Sequence, residues 1–208
     1  MPAAAIAIHH VDDALLVVEK PAGLLSVPGR LPEHQDCLIS RVQQQYPDAL
    51  VVHRLDQVTS GLMVLARGKA AHRALSIQFE RREVSKRYQA LVEGVLEADA
   101  GEIDLPLICD WPNRPRQKVD FALGKPSLTR WQVLARDGQQ QQTRLALEPV
   151  TGRSHQLRVH LMSIGHPIVG DDFYGAAPAA RVCLHALSLS FHHPENGMPL
   201  HFESPLPF

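Results

Sequence analysis

The sequence predicts an α+β fold, built on a large, mainly antiparallel mixed sheet with a few flanking helices. Three observations carry that expectation. Apolar runs of strand length outnumber helical patterns, period-two alternation recurs, and the strand-like segments mostly follow one another in hairpin order. ALLVVEK (14–20) is an apolar run stopped by Pro21 and Gly23, and LMVLAR (62–67) is another. RYQALVEG (87–94) and TRWQVLAR (129–136) are rich in strand formers. In TRLALEPV (143–150), Leu145 and Leu147 alternate with Arg144, Ala146 and Glu148, as a half-buried strand requires. RVCLHALSLSFHHP (181–194) and MPLHFESP (198–205) flank Glu195-Asn196-Gly197, a hairpin signal.

Two segments read as helices. Residues 68–84 carry Ala71, Leu75 and Phe79 at i, i+4 and i+8, with Arg73, Arg81 and Arg82 off that row. Residues 154–165 carry Leu157, Leu161 and Ile164 on one face, with Ser154 as N-cap and Gly165 and Pro167 as the stop. No repeat, linker or domain boundary is visible, so residues 1–208 are expected to form a single domain.

Composition narrows the function. The 208 residues are 45% hydrophobic and 21% charged, ordinary for a globular protein with a sizeable core. The N-terminal MPAAAIAIHH lacks the basic region and apolar length of a secretory signal, and no run approaches the roughly 20 apolar residues of a membrane span. Cys37, Cys109 and Cys183 are few, odd in number and far apart, which suits free thiols in a reducing cytoplasm. The net charge of −1 conceals segregation. Residues 53–90 hold eight Lys/Arg against three acids, whereas 91–110 hold six acids and no base. One basic face is therefore available to an anionic ligand.

Several chemistries are missing from the text of the chain. There is no glycine-rich phosphate loop, no GxGxxG and no GxSxG. Twelve histidines invite a metal reading, yet His155 and His160 fall on different helix faces, and His192 and His193 would point to opposite sides of a strand.

The ionisable cluster in VVHRLDQVTSG (51–61) stands out, because His53, Arg54 and Asp56 sit at the end of a buried strand pattern. In an extended segment Arg54 and Asp56 share one side, and the bland alternative is a surface ion pair. A second charge shifts the balance. On the helix 154–165, Arg158 falls about 60° from Leu161, at the edge of the apolar stripe. A half-buried guanidinium needs an acid, the helix offers none, and Asp56 is the candidate partner. A carboxylate held ionised in this way suits nucleophilic or base chemistry.

Together these residues resemble the RluA family of pseudouridine synthases. HRLDQVTSGLMVLAR carries the family's signature, EKPAGLLSVPGR (19–30) is similar to its first motif, and SKRYQALVEG (85–94) to its Tyr-bearing strand. VTGRSHQLRVHLMSIGHPIVGDDFYG (150–175) and RVCLHALSL (181–189) resemble the late motifs, so the likeness runs from about residue 14 to 205. The segment LPLICDWPNRPRQKV (105–119) is similar to that of dual-specificity members. The N-terminal S4 RNA-binding domain of longer relatives is expected to be absent.

The resemblance implies a single pseudouridine-synthase catalytic domain with Asp56 as the catalytic aspartate. Its attack on sugar or base, or its action as a base en route to a glycal, stays open. Arg158 matches the arginine paired with that aspartate, Tyr88 the tyrosine that stacks on the target base, and Arg54 the residue that enters the RNA stack vacated by the uridine. Arg114, Arg116 and Lys118, in a Pro-punctuated loop, suit phosphate contacts, with a merely solvated loop as the alternative. Arg153, His155 and Gln156 open the helix 154–165, where free amides favour a phosphate. His53 belongs to the same RNA-facing group, while Pro21, Gly23 and Gly29 read as turn formers. The implied partner is structured RNA, namely a tRNA anticodon stem-loop and large-subunit rRNA. No cofactor, metal or membrane is implied, and a monomer in the cytoplasm is expected. Three other readings are a family member acting on another tRNA or rRNA uridine, a non-catalytic RNA-binding or ribosome-assembly module, and an aspartate-nucleophile hydrolase. A pure RNA binder has no use for a carboxylate amid phosphates.

Overall fold

The computed structural model describes residues 5–208; the first four residues of the N-terminal stretch read above lie outside the described residues. The chain divides into two compact units. One runs to Lys86 and includes Ala186–Pro207; the other is Arg87–His185 with Phe208. The strands in chain order are β1 (Ala7–Val11), β2 (Leu15–Lys20), β3 (Ala49–Val51), β4 (Ser60–Arg67), β5 (Ser85–Glu93) and β6 (Ala100–Asp104). They continue with β7 (Leu107–Cys109), β8 (Gln117–Val119), β9 (Leu128–Asp137), β10 (Gln142–Pro149), β11 (Leu184–His192) and β12 (Pro199–Glu203). The helices are α1 (Leu38–Gln43), α2 (Gly68–Glu80) and α3 (Gln156–Ser163). This is the expected α+β class, with strands dominant and their pairing mainly antiparallel.

In the first unit the strand order is β1-β2-β4-β11, with β3 on β4 and β12 on β11. β4 is central, and all but its last residue are buried, which is why LMVLA shows no alternation. Opposite pairs such as Val17 and Val64 join Ala71 and Leu75 of α2 in one apolar cluster. Gly61 takes φ +118°, and a Cβ there would lie 2.3 Å from the Ala186 carbonyl oxygen, so only glycine lets β4 and β11 approach. The expected helix 68–84 ends at Glu80, because Arg82 turns the chain at φ +60° and sends Val84 into the core.

In the second unit the order is β5-β10-β9-β6. The register places Tyr88, Leu147, Trp131 and Gly101 directly opposite one another across these strands. β7 and β8 form a separate two-stranded ribbon. α3 is buried continuously from Gln156 to Leu161, so Arg158 lies deeper than the stripe edge suggested. It also starts later than expected. His155, at φ +52°, is the N-cap in place of Ser154, and the Gln156 side chain accepts from the Arg153 amide.

Candidate active site

The 53–59 loop, between β3 and β4, is fastened from both sides of Asp56. Ser26 donates its hydroxyl to the Leu55 carbonyl at 2.7 Å and accepts the Leu55 amide at 3.1 Å. The Lys20 ammonium, fully buried, donates to the carbonyls of Pro21 at 2.9 Å, Leu24 at 2.7 Å and Gln57 at 3.1 Å. Gly23, at φ +86°, donates its amide to the Gln57 carbonyl and accepts from the Gln57 side chain. Thr59 closes a turn onto the Asp56 carbonyl. Backbone on either side of the carboxylate is thus clamped, while the Asp56 residue itself is half-buried. Gly23 is more than a turn former: the turn it makes docks on this loop.

Arg54 is exposed on the same loop. His53 points inward. Its ring stacks on Phe79 with centroids 4.5 Å apart, and Nε2 accepts the Val64 amide at 3.1 Å. Burial, with Lys86 adding its charge, pushes His53 down to about 3, so the imidazole is neutral at physiological pH. Its geometry is that of a packing residue beneath the loop and not of a surface cation.

In the second unit Tyr88 is half-buried on β5. Arg158 is 3% exposed and forms a bidentate ion pair with Asp171, Nε to Oδ2 at 2.6 Å and Nη2 to Oδ1 at 2.8 Å. The sequence argument for an acidic partner from another segment holds here for Asp171, which it had not named. Tyr174 and Phe173 hold the guanidinium between rings at 5.0 and 5.6 Å. The Tyr174 hydroxyl accepts the Gln117 amide at 2.9 Å and bonds His155 Nδ1 at 2.7 Å. Arg116 reaches the same Phe173 ring at 5.4 Å. Arg116, His155 and Arg158 are therefore brought together around residues 173–174.

Arg114, Arg116, Lys118 and Arg153 are exposed. Gln156 is not: it is 4% exposed, accepts from Thr151 and the Arg153 amide, and donates to the Leu128 carbonyl and Thr129. All four hydrogen-bonding positions of its amide are used, so Gln156 organises the entry to α3 in place of presenting itself to RNA. His160 is likewise internal, bonded to Thr129 and the Leu105 carbonyl, and burial lowers its pKa. Among the described residues no group of three His, Cys, Asp or Glu is placed to hold a metal ion, and no helix is long and apolar enough to cross a membrane.

Residues 14–163 match the family described as RNA pseudouridylate synthase. The chain is 58% identical over 192 residues to the dual-specificity RNA pseudouridine synthase RluA of Vibrio parahaemolyticus, covering 89% of this chain and 77% of that one. It is 50% identical to the protein of that name from Escherichia coli K12, over 98% and 94% of the two chains. Among solved structures, human RNA pseudouridylate synthase domain containing 1 superimposes with a TM-score of 0.83 at 29% identity, covering all of this chain and 87% of that one. The protein is thus an RNA pseudouridine synthase, an isomerase with RNA as substrate. More narrowly, it belongs to the RluA family.

Sequence reasoning passed over Lys20, Ser26, Asp171 and Tyr174. A lysine ending an otherwise apolar strand was the available signal for the first, and the acid-aromatic run in GDDFYG for the last two.

Proposed function

We propose that Asp56 is the catalytic carboxylate, acting on a uridine extruded from folded RNA, with Arg158 pairing with it and Tyr88 stacking on the target base. The N1–C1′ bond breaks, the uracil turns, C5 bonds to C1′, and the C5 proton leaves as N1 gains one. Extruding a stacked base costs a few kcal/mol, and the exposed Arg54 guanidinium fills the vacancy as a planar cation. Isomerisation involves no net oxidation and no group donor, so the reaction runs without a cofactor. Arg114, Arg116, Lys118, Arg153 and His155 take the phosphates. By analogy with the relatives' name, two substrates are served, the first uridine of the tRNA anticodon loop and a loop uridine of large-subunit rRNA. The whole chain works as one catalytic domain, a cytoplasmic monomer.

The supporting observation is the clamp on both peptide neighbours of Asp56, which fixes the backbone that carries this half-buried residue. Asp56→Ala tests it. Tritium release from uridine-labelled tRNA and rRNA should fall to background while RNA affinity is kept; wild-type release from the variant refutes the assignment. Mapping pseudouridine in cells with and without the gene tests the two targets.

A further inference from the structure

In the second unit guanidinium groups lie against the rings of Phe173 and Trp111. The buried Arg158 lies against Phe173, Arg116 lies over that same ring, and at the ribbon tip Arg114 sits 4.6 Å from the Trp111 ring centroid. Trp111 is nonetheless 64% exposed. A large aromatic ring left open to water, with a cation on one face and more on its segment, is suited to stacking with an unpaired base.

The tip that carries it is rigid. Asp110 donates its amide to the Arg116 carbonyl at 2.9 Å, Asn113 donates to Asp110 and Arg116 to Asn113 at 3.0 Å each. The base of the ribbon is equally fixed, since Gln117 donates its amide to Tyr174, and Leu107 packs with Tyr174 and Val159 of α3. Trp111 therefore stands on an arm whose root is the helix bearing Arg158. The two acids of the segment are occupied internally: Asp110 accepts from the Asn113 amide group, and Asp120 accepts the amides of Ala122 and Leu123. Arg114, Arg116 and Lys118 leave the neighbourhood cationic.

We propose that Trp111 is a stacking platform for an unpaired base of the substrate RNA other than the target uridine. Arg114 covers one side of the indole and the base takes the other, while Arg116 and Lys118 meet the adjoining phosphates. The inference rests on the RNA role proposed for residues 105–119 and adds a specificity residue to it. Stacking on an aromatic side chain tolerates any base but demands that the base be unpaired and within reach, so the platform reads RNA shape.

The test uses the full chain and anticodon stem-loops carrying 2-aminopurine at one loop position at a time. One position other than the target should be quenched on binding, and Trp111→Ala should abolish that quench and weaken binding roughly tenfold. Trp111→Phe should recover part of both. The loss should leave the salt dependence of binding unchanged, whereas Arg116→Gln with Lys118→Gln should reduce its slope by roughly two. Wild-type affinity in Trp111→Ala, a quench independent of Trp111, or a salt slope that falls with it would overturn the proposal. These are binding readouts, so they also hold in the Asp56→Ala background, where failure of the catalytic assignment is read separately in tritium release.

Discussion

The Asp56 loop and the Arg158 helix are held in place by opposite means. Around Asp56 the fasteners grip backbone: Lys20 and Gly23 bond the Gln57 carbonyl, and Ser26 bonds the carbonyl and amide of Leu55. Around Arg158 they grip the side chain itself, through Asp171 and the rings of Phe173 and Tyr174. The first arrangement fixes where a residue sits through its peptide neighbours. The second fixes the charged group and ties it to the stability of the unit around it. Variants near Asp56 should therefore alter activity ahead of stability, and variants near Arg158 should alter both.

The largest effect on stability should come from breaking the buried pair on one side. Asp171→Asn removes the bidentate carboxylate from a guanidinium set against rings, and removing one partner of such a pair costs about 3–5 kcal/mol. Urea unfolding followed by circular dichroism should show that loss. For the same reason Arg158→Met, which strands Asp171, is a stability variant as well as an activity variant. Restoration of stability in Arg158→Met with Asp171→Leu would confirm that the pair, and not either residue, is what the unit requires.

A smaller effect is expected at Lys20. Lys20→Met keeps the stem and removes the ammonium, so the carbonyls of Pro21, Leu24 and Gln57 each lose a charged donor, the Leu24 one in a buried bond, at about 2 kcal/mol. Here the turnover number at saturating RNA should fall further than the stability loss explains, with RNA affinity little changed. A variant destabilised by that amount but fully active would break the contrast between the two regions.

The last effect, absent near neutral pH, is a pH dependence. The unfolded imidazole of His53 takes a proton near 6.5, the folded one only near 3, so the unfolded state binds more protons between these values. Stability should therefore decline as pH drops from about 6.5 toward 3, by at most about 1.4 kcal/mol per unit. His53→Phe should flatten that part of the curve in thermal melts. Asp12 acts in a lower window. Burial pulls it up, but hydrogen bonds from His10, the amides of Ala14 and Leu15, and His193 outweigh this and hold it at about 2. Its contribution is present above 3.8 and lost on descent through 2.

Legibility in the sequence followed periodicity. The alternation of Leu145 and Leu147 located β10, the spacing of Ala71 and Leu75 located α2, and the Glu195-Asn196-Gly197 signal located the β11–β12 turn. Elements too short to show a period were missed, among them α1 and the three-residue strands of the ribbon. The candidate site divides in the same way. Asp56, Arg54 and Arg158 were visible because a charge beside an apolar pattern is anomalous. Lys20 was not, because a lysine at the end of an element reads as solvated, and Gln156 read as a phosphate contact; only the folded chain shows the carbonyls and hydroxyls that enclose them. Asp171 lay in an irregular stretch where no pattern distinguishes a buried acid from an exposed one.

The Lys20 ammonium also works as a ruler. It measures off Pro21, Leu24 and Gln57 by their carbonyls, while Ser26 counts to Leu55, so two distant stretches of chain are indexed to one another residue by residue. Neither stretch has slack. A single inserted or deleted residue in either would bring the wrong peptide to each fastener and turn Asp56 away from its place.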